Sequence, residues 1–205
     1  LTIELISYKS TLWPDSRVSS SVVVDIFSDT IPKDVKKMDA KEFDTQFYEN
    51  GFVVLRDCVD KSILQGAKDI FTEIISTRLG HQIDFREGFL ELLETTRQYD
   101  IQNMLYRGLF HDDFPLKILR CPGVLEKFVQ LLGPDLSYEQ NSELIANVKG
   151  VKDDYFFKNW HQEYWSGTGI EALLFWMPIH LLPGMGTIEI IKKSHSWGHI
   201  PHRNR

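Results

Sequence analysis

The chain has 205 residues, 42% of them hydrophobic and 25% charged, with a formal net charge of −6. That length supports one domain with a well-buried core, and the composition is that of a globular protein. The acidic balance excludes a nucleic-acid surface, which needs clustered Lys and Arg; the pairs Lys36-Lys37 and Lys192-Lys193 are too short for one.

No apolar run approaches the roughly 20 residues of a membrane span, so no membrane partner is expected. The two cysteines, Cys58 and Cys121, lie far apart, lack a metal-binding spacing and are too few for a disulfide framework. This fits a reducing, cytoplasmic compartment. The chain begins at Leu1 rather than Met, so a processed or trimmed N-terminus is expected.

Residues 1–38 alternate short β-rich pieces such as "SVVVDIF" with turn residues and read as an N-terminal extension. "AKEFDTQFYENG" (40–51) reads as a helix closing at Gly51, and "FVVLRDC" after it as a strand. Asp60 is an N-cap candidate. Behind it Ile63, Leu64, Ala67, Ile70, Phe71, Ile74 and Ile75 recur at three- and four-residue steps, and Gly80 stops the helix. Helical character continues around "FLELLETTRQYDIQNML", and "PGVLEKFVQLLGP" (122–134) opens on Pro122 and ends at Gly133-Pro134.

From Leu136 onward "LSYEQNSELIANV", "YFFKNWHQEYW", "EALLFWMPIHLL" and "TIEIIKK" read as successive strands separated by turns. The result is one α+β domain over 1–205: the extension at 1–38, a mainly helical layer at 39–134, and strands at 135–205. Helices followed by consecutive strands predict a helical layer over an antiparallel sheet or barrel.

The chemistry concentrates in "NWHQEYWSG", residues 159–167. On a strand, residues two apart share a face, so His161, Glu163 and Trp165 point one way and Trp160, Gln162 and Tyr164 the other. Aromatics on both faces imply cover on both sides, where an ionised Glu costs several kcal/mol unless neutralised. A divalent metal would neutralise it, and imidazole plus carboxylate is the ligand pair of the non-haem iron facial triad. An isolated H-x-E also arises by chance, and its plain alternative is a His and a Glu on the solvated rim of a sheet.

The order of further motifs adds to this. "NWHQEYW" followed by "FWMPIHLLPGMGTIEIIKKSHSWG", with "FYENGFVVLRDCVD" and "CPGVLEKFVQLLGPDLSY" upstream, resembles the phytanoyl-CoA dioxygenase family over residues from about 43 to 200. The resemblance implies a double-stranded β-helix, a jelly-roll or cupin-like mainly-β core flanked by N-terminal helices. It implies Fe(II) and 2-oxoglutarate as cofactors, with O₂ and a small molecule as co-substrates. It places metal ligands on His161 and Glu163, a co-substrate contact on Asn147, Trp176 near the oxo acid, and Trp165 along the substrate cavity. The plain alternatives are a backbone bond at a strand end for Asn147 and core packing for Trp176; Ser194-His195 reads as a structural turn, and Arg107 in "MLYRGLF" as a surface ion-pair former rather than a basic partner for a bound carboxylate.

Two departures stand out. Glu163 stands where the family usually has Asp, and its extra methylene moves the carboxylate outward by ~1.5 Å. The family's second metal His and its 2-oxoglutarate-binding Arg come from strands downstream of the Ser-His turn, and this chain ends at Arg205, so a truncated chain is expected. The tail "SHSWGHIPHRNR" offers His195, His199 and His202, although Gly198 and Pro201 oppose a helix that would align them. The competing function is a jelly-roll relative that binds a ligand or protein after losing its metal centre. A zinc hydrolase is disfavoured, because no H-E-x-x-H occurs.

Overall fold

The computed structural model describes residues 2–9, 20–25, 40–148, 160–162, 173–181, 188–198 and 200–201. In chain order the elements are β1 (Thr2–Lys9), β2 (Ser20–Asp25), α1 (Ala40–Asn50), β3 (Phe52–Arg56), α2 (Lys61–Leu79), α3 (Phe85–Leu93), α4 (Gln98–His111), α5 (Phe114–Leu119), α6 (Pro122–Leu132), β4 (Glu139–Asn147) and β5 (Leu173–His180). A 3-10 turn follows at Ser194–Trp197.

The helices begin and end where the local chemistry dictates. Asp60 accepts the Ser62 N–H at 2.8 Å, and Gly80 closes α2 in the left-handed region at φ 79°. Asp84 caps α3 in the same way, accepting from the Arg86 N–H at 3.0 Å. The expected continuous helix through "ETTR" is broken in two. Thr95 and Thr96 both direct their N–H groups to the Leu92 carbonyl, ending α3, and an extended Arg97 restarts the chain as α4. Two β-branched residues in succession favour that break.

The expected double-stranded β-helix is not the fold. Helices hold the larger share of the described residues. The strands form one open mixed sheet in the order β3-β2-β5-β1-β4. Among the described residues, strands β3, β4 and β5 make no ladder with one another. They join through β1, antiparallel to both β4 and β5, and β2, parallel to both β3 and β5. A jelly roll would instead pair its late strands in two facing sheets. The strand expected over "YFFKNWHQEYW" is absent from its described part, 160–162, and "TIEII" has no ladder over 188–191. Alternating polarity was misread there: Ile188 and Ile190 are half-buried and Glu189 is exposed, but burial alternation needs no ladder partner.

Strand β5 is buried on both faces. Leu173, Phe175, Met177 and Ile179 enter the main core with Phe71, Phe89, Leu105, Leu109, Phe114 and Phe128 from the helices, and the Phe128 and Phe175 rings lie 5.8 Å apart. Leu174 and Trp176 turn to the opposite face, against Val54, Ile145, Ile188 and Ile190. Each fully buried large apolar side chain contributes about 2 kcal/mol, so the helical face carries most of the stability.

Strand β4 ends the sheet, and two buried glutamines of α4 close its outer edge. Gln102 gives its Nε2–H to the Leu144 carbonyl at 3.1 Å and accepts the Ala146 N–H on Oε1 at 3.1 Å. Gln98 gives Nε2–H to the Ala146 carbonyl at 2.6 Å and to Gln102 Oε1 at 3.0 Å. An unpaired strand edge in the core would leave these backbone groups dry and unbonded, and the amides prevent it.

Candidate functional site

Of the sequence-selected residues whose side chains are described, Trp176 is the one on the face of the sheet away from the helices. Trp176 lies there, 2% exposed, walled by Leu174, Val54, Ile145, Ile188 and Ile190. Asn147 ends β4, two positions beyond Ile145, with its backbone opposite Thr2. His161 sits in an irregular stretch and is exposed, as is Trp160 at 61%. Glu163 and Trp165 lie outside the described residues, as do His199 and His202. The strand argument for His161 and Glu163 sharing a face therefore loses its premise at residue 161. The donor chemistry of the pair, an imidazole nitrogen and a carboxylate oxygen, suits Fe(II). Among the described residues no three His, Cys, Asp or Glu side chains converge.

The sequence reading passed over Gln162, which the structure makes central. Its Oε1 accepts the Ile200 N–H at 2.9 Å and its Nε2–H goes to the Gly198 carbonyl at 2.8 Å. The residue after His161 thus ties that segment to the tail. The available signal was a glutamine between two candidate ligands, whose amide can donate and accept at once.

His195 is structural, as its place in a Ser-His turn implies. It reaches the C-terminal end of α1, where Nε2–H donates to the Tyr48 carbonyl at 2.9 Å, and the Lys193 N–H reaches the Asn50 carbonyl at 2.8 Å. Helix α1 has no basic residue of its own in its last turn, so the imidazole satisfies a carbonyl that the helix leaves open. The close approach requires Gly51. Its φ is 83°, and a Cβ there would overlap the His195 ring, lying 2.6 Å from Cγ.

Other reactive groups are muted. Burial, the largest cause, with the backbone partly opposing it, pushes the Cys58 thiol up to about 12, so it stays protonated, and Cys121 is buried with Sγ 3.5 Å from the Lys117 carbonyl. His180, at the end of β5, lies edge-on to Phe85 at 5.3 Å, and among the described residues its Nε2 has no hydrogen-bond partner. Burial first, then the positive charges of Lys68 and Arg86, lowers its pKa to about 4, so it is neutral. Arg107 is exposed, in keeping with a surface role. No helix among the described residues is long and apolar enough to cross a membrane. Comparison with known proteins adds no further constraint: no family model, no curated protein and no solved structure matches the chain.

Proposed function

We propose that this protein is an Fe(II)- and 2-oxoglutarate-dependent dioxygenase that hydroxylates a small molecule, converting O₂ and the oxo acid to succinate and CO₂ as one oxygen atom enters the substrate. One observation supports the reading: segments that resemble the dioxygenase motifs, far apart in sequence, meet in space. "YENGF" meets "KSHSWG" through Tyr48, Gly51 and His195, and "WHQ" meets the end of the same "SHSWG" through Gln162 and Gly198, with Ile200 just beyond it. His161 and Glu163 would hold the iron, which with the bound oxo acid supplies the oxidising power. The chain's own part is to orient and to exclude water. Gln162 fixes the backbone beside His161, and the apolar face around Trp176 offers a dry wall, where electrostatic contacts to a bound acid strengthen.

The test is turnover. Supplied with Fe(II), the protein should convert 2-oxoglutarate to succinate, and His161→Ala should abolish that conversion. A second reading, a ligand- or protein-binding relative without a metal centre, is favoured by His161 standing exposed in an irregular stretch rather than on a strand. An iron titration that finds no stoichiometric site would select it.

A further inference from the structure

Helices α2 and α4 touch at one level and leave a gap at the next. At Gly108 the α4 backbone lies so close to α2 that an added Cβ would overlap the Ile74 side chain. One turn further along α2, at Arg78, stands a cavity of about 160 Å³. It is lined by Arg78, Leu92, Thr96, Asp100, Ile101 and Met104. It sits at the break between α3 and α4, where Thr95 and Thr96 turn back on the Leu92 carbonyl and the backbone is extended at Arg97.

The lining is sorted by depth. Leu92 and Ile101 are buried and Met104 is half-buried, so the floor is apolar and gives water few hydrogen-bond partners. The rim is polar. Arg78 stands exposed in the last turn of α2. Among the described residues its guanidinium has no ion pair and the Thr96 hydroxyl no hydrogen bond. Asp100 adds a negative charge, but Arg97 holds both its oxygens, at 2.8 and 3.1 Å. That bidentate pair is close to neutral as a unit, so Arg78 leaves the rim net positive.

We propose that this cavity binds a small monocarboxylate, its apolar body against Leu92, Ile101 and Met104 and its carboxylate on the Arg78 guanidinium and the Thr96 hydroxyl. A guanidinium fork matches a carboxylate, and the hydroxyl can donate to the same group. The volume sets the size: an apolar cavity of about 150 Å³ takes a benzene ring, so the body has about six carbons. One cation and one hydroxyl match a single negative charge, whereas a dianion such as phosphate would keep an unmatched charge beside Asp100. The site lies in the helical layer, and it stands or falls independently of the dioxygenase reading.

The experiment titrates the full chain with benzoate and with benzamide, its uncharged counterpart of the same shape. The readout is the ¹³C-methyl resonance of Met104, identified by its loss in Met104→Leu. Benzoate should shift it saturably, with a midpoint on the order of 1 mM, as expected for so few atoms. Benzamide should bind about tenfold more weakly, the worth of one charge-assisted bond. Arg78→Gln should lower benzoate to the benzamide level and leave benzamide binding unchanged; Arg78 is exposed, so its urea midpoint should stay close to native. No saturable shift with either compound overturns the site, as does benzoate that binds without moving Met104. Equal binding of the two in the native protein, or a benzoate preference that survives Arg78→Gln, overturns the carboxylate assignment and leaves Arg78 only the role of complementing the α2 dipole.

Discussion

Replacing Gly51 by Ala tests the joint between α1 and the tail, and a matched control separates its two costs. An alanine at φ 83° suffers left-handed strain of about 1 kcal/mol. Its Cβ also overlaps the His195 ring, with Cγ at 2.6 Å and Cβ at 2.9 Å, so the imidazole must leave the Tyr48 carbonyl. Losing that bond and the packing around it adds about 1–2 kcal/mol, giving a total of about 2–3 kcal/mol. Gly80 has nearly the same backbone, φ 79°, but nothing lies within 4 Å of an added Cβ. Gly80→Ala should therefore cost the strain alone, about 1 kcal/mol. Urea unfolding of both variants, read from midpoints at constant slope, gives the difference. A cycle with His195→Ala completes the argument: the double variant should lose about 1–2 kcal/mol less than the sum of the singles, because the clash has no ring to meet. Equal losses for Gly51→Ala and Gly80→Ala, or strictly additive losses in the cycle, would refute the clasp.

The remaining expectations are narrower. Gln102→Met should lower stability by about 2–4 kcal/mol, because it strands the Leu144 carbonyl and the Ala146 N–H in the core, whereas Gln162→Met should cost under about 1 kcal/mol; similar urea midpoints for the two would contradict the assignment of one contact as buried and the other as exposed. His180 is neutral when folded with its pKa lowered to about 4, and the unfolded imidazole titrates near 6.5. The unfolded chain then binds the extra proton, so stability is complete above about pH 6.5, declines toward pH 4 and is flat below; the shift is discounted for a half-buried site to about 1–2 kcal/mol. His180→Leu should remove that part of the acid slope, and an unchanged slope would exclude His180 as its source. Cys58 should resist iodoacetamide at pH 8 in the folded protein, with both cysteines labelled in urea, and fast native labelling of Cys58 would contradict its raised pKa.

How far the sequence can be read depends on the range over which each determinant acts. Asp60, Gly80, Pro122 and Gly51 mark helix ends through contacts within a turn or two, and all four stand where the local chemistry puts them. The sheet obeys partners remote in sequence. Nothing local to "TIELISYK" or "SSVVVD" states that β1 inserts between β4 and β5, or that β2 inserts between β3 and β5. Alternation in "TIEII" reported a half-buried face truthfully and a ladder falsely, since Ile188 and Ile190 bury against Trp176 without hydrogen-bonding to it as a strand. The candidate site divides along the same line. Trp176 is buried on the face opposite the helices, where an apolar strand covered on both sides places alternate residues. His161 was assigned its geometry from a strand that residues 160–162 do not form.

The two glutamine contacts also state how rigidity is distributed around that site. On the helical side, α4 holds β4 through amides in a dry core, where opening would expose paired backbone groups and apolar side chains together; such opening requires near-global unfolding. At the surface, Gln162 meets Gly198 and Ile200 through exposed hydrogen bonds that water can replace one at a time. Glutamine serves both because its amide copies a peptide group, and the surrounding dielectric decides how firmly the copy holds.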